Sequence, residues 1–272
     1  MTEKSPTRIV VAGAAGRMGQ ALSGLALSDP DLELFGATEA PVFPGIGKDI
    51  GEILGERDTG VQLTTDLEAA AQGAHAYVDF TRPQATLSAL SALKGTGVKA
   101  VVIGTTGFTQ DELLALQEWS QHYAIVFSGN FSLGVNMLAE LVRRAAKSLG
   151  PEWDIEVLET HHRHKVDAPS GTALLLGEAA ADGRGAPLDD LRLPPYDGVT
   201  GERPEGKIGF SVRRSGGVIG EHEVSFGAME EVLSLSHTAL DRRVFARGAM
   251  KAAQWAVGKP AGWYSMKHVL GL

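Results

Sequence analysis

Residues 159–173 read Glu-Thr-His-His-Arg-His-Lys-Val-Asp-Ala-Pro-Ser-Gly-Thr-Ala. His161, His162, Arg163, His164 and Lys165 are consecutive, and each can carry positive charge. Imidazole titrates near neutrality, so a histidine here can give or take a proton at working pH. Lys165 adds a compact cation that attracts anions or serves as a second proton donor. Ser170, Gly171 and Thr172 open an apolar helical run. The N–H groups of a first helical turn, with two hydroxyls beside them, can hold a carboxylate. The segment suits a small anionic substrate that must be protonated.

Other chemistries fit less well. A basic run often binds nucleic acid, but the whole chain is acidic, with formal charge -8 and pI about 5.5. A large phosphate-binding surface is therefore not expected. Zinc is not expected either, because there is no HExxH spacing and no cysteine. In a strand, His162 and His164 would share a face and His161 would point the other way. The missing cysteine also removes disulfides and any thiol nucleophile.

A fold must position this cluster, and the start of the chain indicates which. Arg8–Ala12 reads as a short buried strand running into Gly13-Ala14-Ala15-Gly16-Arg17-Met18-Gly19. A helix follows to about Ser28, closed by Asp29-Pro30, and a second strand, Leu32–Thr38, leads to Glu39. The glycine spacing lets backbone approach a pyrophosphate, with its charge at the helix N-terminus. Glu39, placed after the second strand, would hydrogen-bond ribose hydroxyls. The βα rhythm continues. Thr65–Glu68 and Thr109–Glu112 read as capping boxes. Strands are predicted at Ala76–Phe80, Lys99–Ile103 and Ala124–Phe127, and helices near Pro83–Lys94 and Gln110–Tyr123. This pattern predicts a doubly wound parallel α/β sheet that binds ligands beyond the carboxyl ends of its strands. Gly13–Gly19, Glu39, Phe80-Thr81-Arg82, Gly104–Gly107 and Gly129-Asn130 all fall at that edge.

The pattern changes after about residue 131. A helix is predicted at Val135–Leu149, a strand at Asp154–Thr160 and a helix at Gly171–Ala181. Gly183–Lys207 reads as a long loop. Three strands follow, Ile208–Arg214, Gly220–Ala228 and Glu231–Ala239, joined by tight turns such as Ser215-Gly216-Gly217. They form an α+β unit with a mixed or mainly antiparallel sheet. Asp241 can cap a last helix to about Val257. The 34 glycines, well above the usual ~7%, fit many close approaches of backbone to ligand. Met1–Pro6 is short and polar, unlike a signal peptide, and no apolar run reaches the ~18 residues of a membrane span. No membrane partner is expected, and the cytoplasm is the default compartment.

The chain resembles the dihydrodipicolinate reductases of bacterial lysine and diaminopimelate biosynthesis, nearly end to end. The marks are Glu159–Ala173, Val11–Gly19, Asp79–Pro83, Ile103–Phe108 and Gly129–Val135. The resemblance implies a Rossmann-like dinucleotide-binding domain of residues 1–131 with 241–272. Between them it implies a substrate-binding domain, 132–240, whose sheets associate into a homotetramer. It implies that His161 is the acid/base residue and Lys165 a proton donor. His162, Lys165, Ser170, Gly171 and Thr172 would hold the carboxylates of a small cyclic dicarboxylate. Gly13, Ala14, Ala15, Gly16, Arg17, Met18, Glu39, Gly104, Thr105, Thr106, Ser128, Gly129, Asn130 and Phe131 would contact the cofactor. The implied reaction passes a hydride from NADH or NADPH to the substrate ring, which then takes a proton.

Members that use NADPH often carry a basic residue after the acidic one; here Ala40 and Pro41 follow Glu39. NADH is therefore the favoured cofactor, with Lys48 or Arg17 the cations that would admit NADPH. Two rival readings stand beside this one: another two-domain NAD(P)-dependent dehydrogenase, and a dinucleotide-sensing protein without catalysis. The sensor would have no need of His161–Lys165 beside a helix start.

Overall fold

The computed structural model describes residues 5–272, so residues 1–4 of the polar start lie outside the described residues. The chain divides into two compact units, residues 5–131 with 243–272, and residues 132–242. In chain order the first stretch holds β1 (Thr7–Ala12), α1 (Arg17–Ser28), β2 (Leu32–Thr38), α2 (Ile50–Leu54), β3 (Leu63–Thr64), α3 (Leu67–Ala71), β4 (Ala76–Asp79), α4 (Pro83–Ala92), β5 (Ala100–Ile103), α5 (Gln110–Glu118) and β6 (Ala124–Phe127). The inserted unit holds α6 (Leu133–Ser148), β7 (Asp154–His161), α7 (Gly171–Arg184), α8 (Leu188–Leu191), β8 (Ile208–Arg214), β9 (Glu221–Gly227) and β10 (Val232–Thr238). The chain then returns to the first unit with α9 (Arg243–Ala256), β11 (Gly262–Tyr264) and α10 (Met266–Leu270).

Among the described residues the first unit is built on a seven-stranded sheet, order β11-β6-β5-β4-β1-β2-β3, with every pair parallel. Every residue of β4 and β5 is buried, as strands covered on both faces must be. Val10, Tyr77, Leu90, Val101, Leu116 and Ile125 belong to one core cluster. On the sheet, α9 packs against β4, β5 and β6 and beside α1. It buries Ala246, Gly248, Ala249, Ala252, Ala253 and Ala256. Small residues let the helix lie close: a Cβ on Gly248 would collide with the Phe131 carbonyl.

The second unit has a four-stranded mixed sheet, order β10-β9-β7-β8, in which only β7 and β8 run parallel. Alternation along β7 and β9 puts Ile155, Val157, Val224 and Phe226 into a core with Leu138 and Val142 of α6 and Leu176 and Ala180 of α7.

Several sequence expectations need correction here. The box expected at Thr65–Glu68 does not form; Asp66 caps α3 instead, accepting from the Ala69 N–H at 3.0 Å. The Thr109–Glu112 box is present. The stretch read as one loop, Gly183–Lys207, contains the end of α7 and the short α8. Ser215–Gly217 does not close a hairpin, because β7 lies between β8 and β9. The turn crosses the end of β7 and binds its backbone, with Ser215 N–H to His161 carbonyl at 2.8 Å and Arg163 N–H to Gly216 carbonyl at 3.0 Å. The strand β7 ends at His161, so His162–Lys165 lie beyond it and share no strand face. No described helix is long and apolar enough to cross a membrane.

Candidate active site

In the first unit the glycine loop joins β1 to α1. Gly13 adopts φ +61°, where glycine is the residue that fits without strain. The Gly16 N–H donates to the Gly13 carbonyl at 2.9 Å and closes the turn. A Cβ on Gly19 would strike the Gly13 carbonyl and approach Ala14 Cα to 2.6 Å, so this position sets how closely helix and strand pack. Arg17 is exposed and Met18 half-buried. Glu39 follows β2 and faces the loop. Its Oε2 accepts from the Ala15 N–H at 3.1 Å and its Oε1 from the Ala40 N–H at 2.9 Å.

A cavity of about 400 Å³ is lined by Gly13, Glu39, Ala40, Pro41, Thr81 and Arg82, among others. Arg82, expected at the ligand-binding edge but assigned no individual contact, is the cation on this wall. Lys48 is paired with Glu52 at 2.5 Å, one helical turn away in sequence. Asp79, fully buried at the end of β4, accepts from Thr81 N–H at 2.8 Å and Thr81 Oγ1 at 2.6 Å. It also accepts from Thr105 Oγ1 at 3.2 Å. That carboxylate ties the loop after β4 to the loop after β5, and it leaves Thr105 buried while Thr106 is exposed. Gly104 is close-packed against the Phe80 ring. Ser128 and Asn130 bond each other through Ser128 Oγ, at 2.7 Å to the Asn130 carbonyl and 3.2 Å from its N–H. Phe131 is buried, with its ring centroid 5.3 Å from that of Phe80. A glycine turn at a helix start, a carboxylate facing it and an adjoining cavity at the carboxyl edge fit a dinucleotide.

In the second unit β7 delivers Glu159 and His161 to the same face, two residues apart. The Glu159 side chain is wholly buried and hydrogen-bonds His161 Nδ1. It also accepts from the Ser170 N–H at 3.0 Å, and from Arg214 Nη1 at 3.1 Å and Nη2 at 3.3 Å. Burial alone would raise its pKa, but the bonds from His161, Arg214 and Ser170 outweigh burial and hold it below the usual carboxylate range. A carboxylate only accepts, so the proton of this pair sits on His161 Nδ1. The other nitrogen, Nε2, is left for chemistry. A Cβ on Gly220 would lie 3.1 Å from that Nε2.

His222 of β9 stands beside His161, with ring centroids 5.0 Å apart. Its Nε2 bonds Ser170 Oγ at 3.0 Å. Burial, followed by the charge of His161, pushes its pKa down to about 4, so it is neutral at pH 7. Ser170 is buried and caps α7, accepting from the Ala173 N–H at 3.1 Å. Gly171 is exposed and Thr172 half-buried at the first turn. Lys165 Nζ meets both oxygens of Asp167, at 2.8 and 2.9 Å. His162 Nδ1 is buried without a hydrogen-bond partner. Burial, then the charges of Arg242 and its neighbours, lowers the His162 pKa. The structure thus brings His161 and Ser170 together around Glu159, with Lys165 in the segment between them. The sequence pattern pointed to no role for Glu159, Arg214, His222 or Arg242. Only Glu159 left a signal, its i, i+2 spacing from His161 on a strand.

The chain matches the family described as dihydrodipicolinate reductase, N-terminus, over residues 7–131, and dihydrodipicolinate reductase, C-terminus, over residues 134–270. The chain belongs to the dihydrodipicolinate reductase family. Two similar relatives are the 4-hydroxy-tetrahydrodipicolinate reductases of Ruegeria pomeroyi and Methylocella silvestris. Each is 51% identical over 265 residues, covering 97% of this chain and 98% and 97% of the respective relative. Among solved structures, the dipicolinate-bound dihydrodipicolinate reductase from Paenisporosarcina sp. TG-14 superposes with TM-score 0.75 at 23% identity, over 97% of this chain and 99% of that one. An amine dehydrogenase from Mycobacterium smegmatis shares the fold at TM-score 0.64 and 14% identity, over 97% and 96%. At those identities the structures speak for the fold. Membership in the dihydrodipicolinate reductase family rests on the sequence matches, and with the Rossmann-like sheet it implies a nicotinamide dinucleotide cofactor.

Proposed function

We propose that this protein reduces the cyclic dicarboxylate (4-hydroxy-)dihydrodipicolinate to tetrahydrodipicolinate, in lysine and diaminopimelate biosynthesis. The observation that carries this reading is the buried Glu159–His161 pair beside the start of α7, in a chain of this family. Bound at the glycine loop, a reduced nicotinamide dinucleotide supplies the hydride.

The residues divide the remaining work. Gly13–Met18 present backbone N–H groups to the pyrophosphate, and Glu39 takes ribose hydroxyls in exchange for its present bonds to Ala15 and Ala40. Gly104–Thr106 and Ser128–Phe131 shape the adjoining loops. His161 exchanges a proton through Nε2, its Nδ1 being committed to Glu159. Lys165 holds a substrate carboxylate and stabilises the charge left on the ring, with His162 as a second donor. The exposed start of α7 at Gly171 and Thr172 holds a carboxylate, while Ser170 caps the helix beneath it. Ala40 offers no side-chain donor to a 2′-phosphate, which favours NADH. Family resemblance supports a homotetramer formed through the second unit's sheet, and a cytoplasmic enzyme.

The direct test follows oxidation of NADH and NADPH with freshly generated dihydrodipicolinate synthase product. Turnover with either cofactor supports the reading. No oxidation with both removes it.

A further inference from the structure

Glu159 and Arg214 do more than support a strand end. We propose that Glu159, held by Arg214, is the positioning residue that fixes the proton of His161 on Nδ1, and that Arg214 couples this pair to the Lys165 segment. The proposal rests on the reading that His161 exchanges the proton.

Three observations carry it. First, a fully buried carboxylate is costly unless charge and hydrogen bonds compensate it. Glu159 obtains both, from Arg214, His161 and the Ser170 N–H. The arrangement is internally balanced and leaves the carboxylate as an acceptor alone. Second, the same Arg214 guanidinium reaches past Glu159: its Nη2 donates to the Asp167 carbonyl at 2.6 Å. Asp167 in turn holds Lys165 through its side chain. One planar cation therefore spans the partner of His161 and the partner of Lys165, a geometry suited to arginine's fork of donors. Third, the sheet presets the contact. In the parallel pairing of β7 with β8, His161 lies opposite Arg214. The groups facing His161 are Glu159 on its own strand, Arg214 behind Glu159 from β8, and His222 from β9, with Lys165 and Asp167 in the adjoining segment.

Glutamine at 159 should fail for a specific reason. Its one carbonyl oxygen would be claimed by the Ser170 N–H and Arg214, turning the amide NH₂ toward His161 Nδ1. That nitrogen must then accept, and the ring proton moves to Nε2. A residue that only packed the strand end would cause no such exchange.

The test compares wild type with Glu159→Gln, Glu159→Asp and Arg214→Met, checked for folding by circular dichroism and for NADH affinity. Nitrogen-15 spectra of the His161 ring should show Nδ1–H in wild type and Glu159→Asp, and Nε2–H in Glu159→Gln. The ring's titration midpoint should move down in Glu159→Gln, which loses an anion, and up in Arg214→Met, which loses a cation. The kcat of Glu159→Gln should fall by roughly 10²-fold or more, as loss of a histidine-orienting carboxylate does elsewhere. Its NADH affinity should stay within about twofold. Glu159→Asp should recover part of the loss. Arg214→Met should lower kcat and raise the KM of the dicarboxylate. An unchanged tautomer together with midpoints that do not move apart overturns the proposal, as does full kcat in folded Glu159→Gln. If the wild type itself turns nothing over, the reaction assigned above fails. The ring spectra of wild type and the two charge variants then decide the positioning role alone. Should Glu159→Gln not fold, Arg214→Met is compared with wild type and Glu159→Asp. A raised midpoint then supports the proposal, and an unmoved one overturns it.

Discussion

Glu159 and His222 sit opposite one another on the paired strands β7 and β9, and both reach Ser170: the carboxylate takes its N–H at 3.0 Å and the imidazole meets its hydroxyl at 3.0 Å. Two strands thus fasten the residue that caps α7. The position of that helix start relative to His161 is set by the sheet and not by the loop before it.

Removing His161 or Lys165, to which the proposed reaction gives the proton and the substrate carboxylate, should damage the chemical step. His161→Gln or Lys165→Ala is expected to lower kcat by roughly 10²-fold or more. NADH affinity should barely change, since both residues belong to the second unit. Full activity in both variants would sink the assignment.

Gly220 keeps the edge of His161 clear. A methyl group there would stand 3.1 Å from Nε2 and 3.7 Å from His222 Cε1, so a ring has to shift by a few tenths of an ångström. Gly220→Ala should cost about tenfold in kcat, because small misplacements of a reacting group are expensive. Thermal stability should fall by only a few degrees. Steady-state kinetics beside a melting curve can separate the two effects.

Two buried groups with large shifts contribute to the acid response. His222 has a folded pKa of about 4 against the usual 6.5, so the unfolded chain takes up its proton first. Its contribution to stability is complete above pH 6.5 and is lost as the pH falls toward 4, by at most about 1.4 kcal/mol per pH unit. Glu140 acts lower down. Its carboxylate bonds Arg143 at 2.6 Å and Arg144 at 2.7 Å, and these contacts pull its pKa from 4.5 to about 2. Its contribution is present above 4.5 and disappears toward 2. Urea midpoints at pH 7 and 5 should converge in His222→Gln. An undiminished gap between them would show that another group carries the dependence.

Cofactor choice should follow Glu39 and Ala40. A preference for NADH in kcat/KM of about three- to thirtyfold corresponds to about 0.7–2 kcal/mol. Ala40→Arg should improve NADPH use selectively, since arginine pairs with phosphate through two bonds. Arg82 lines the same cavity as Glu39 and Ala40, and it is the cation proposed to serve a 2′-phosphate there. Arg82→Ala should therefore reduce NADPH use more than NADH use. A wild-type preference for NADPH would overturn the reading of Glu39-Ala40.

Much of this was legible in the chain because it is encoded locally. The spacing of Gly13, Gly16 and Gly19 followed by Glu39 announces its turn, and β2 and β6 run as the apolar pattern predicts. The short strands β3 and β11 were not legible, since two or three residues hold no period. The partners of His161 were hidden for another reason. Arg214 lies 55 positions from Glu159, and His222 lies 52 from Ser170. Only strand order brings them together. The turn at Ser215–Gly217 misleads for the same reason: it looks like a hairpin, and the parallel pairing of β7 with β8 appears only in the folded sheet.

The first unit closes with residues that are made after the second unit. Its central strands β4, β5 and β6 lie under α9, which begins at Arg243, after the whole of the second unit. A chain leaving the ribosome therefore carries a half-covered sheet while more than a hundred further residues are added, on the order of ten seconds at ordinary elongation rates. The inserted unit has all its strands by then and can fold first. The unit with the glycine loop is the later one to mature, although its first strand is made before the inserted unit.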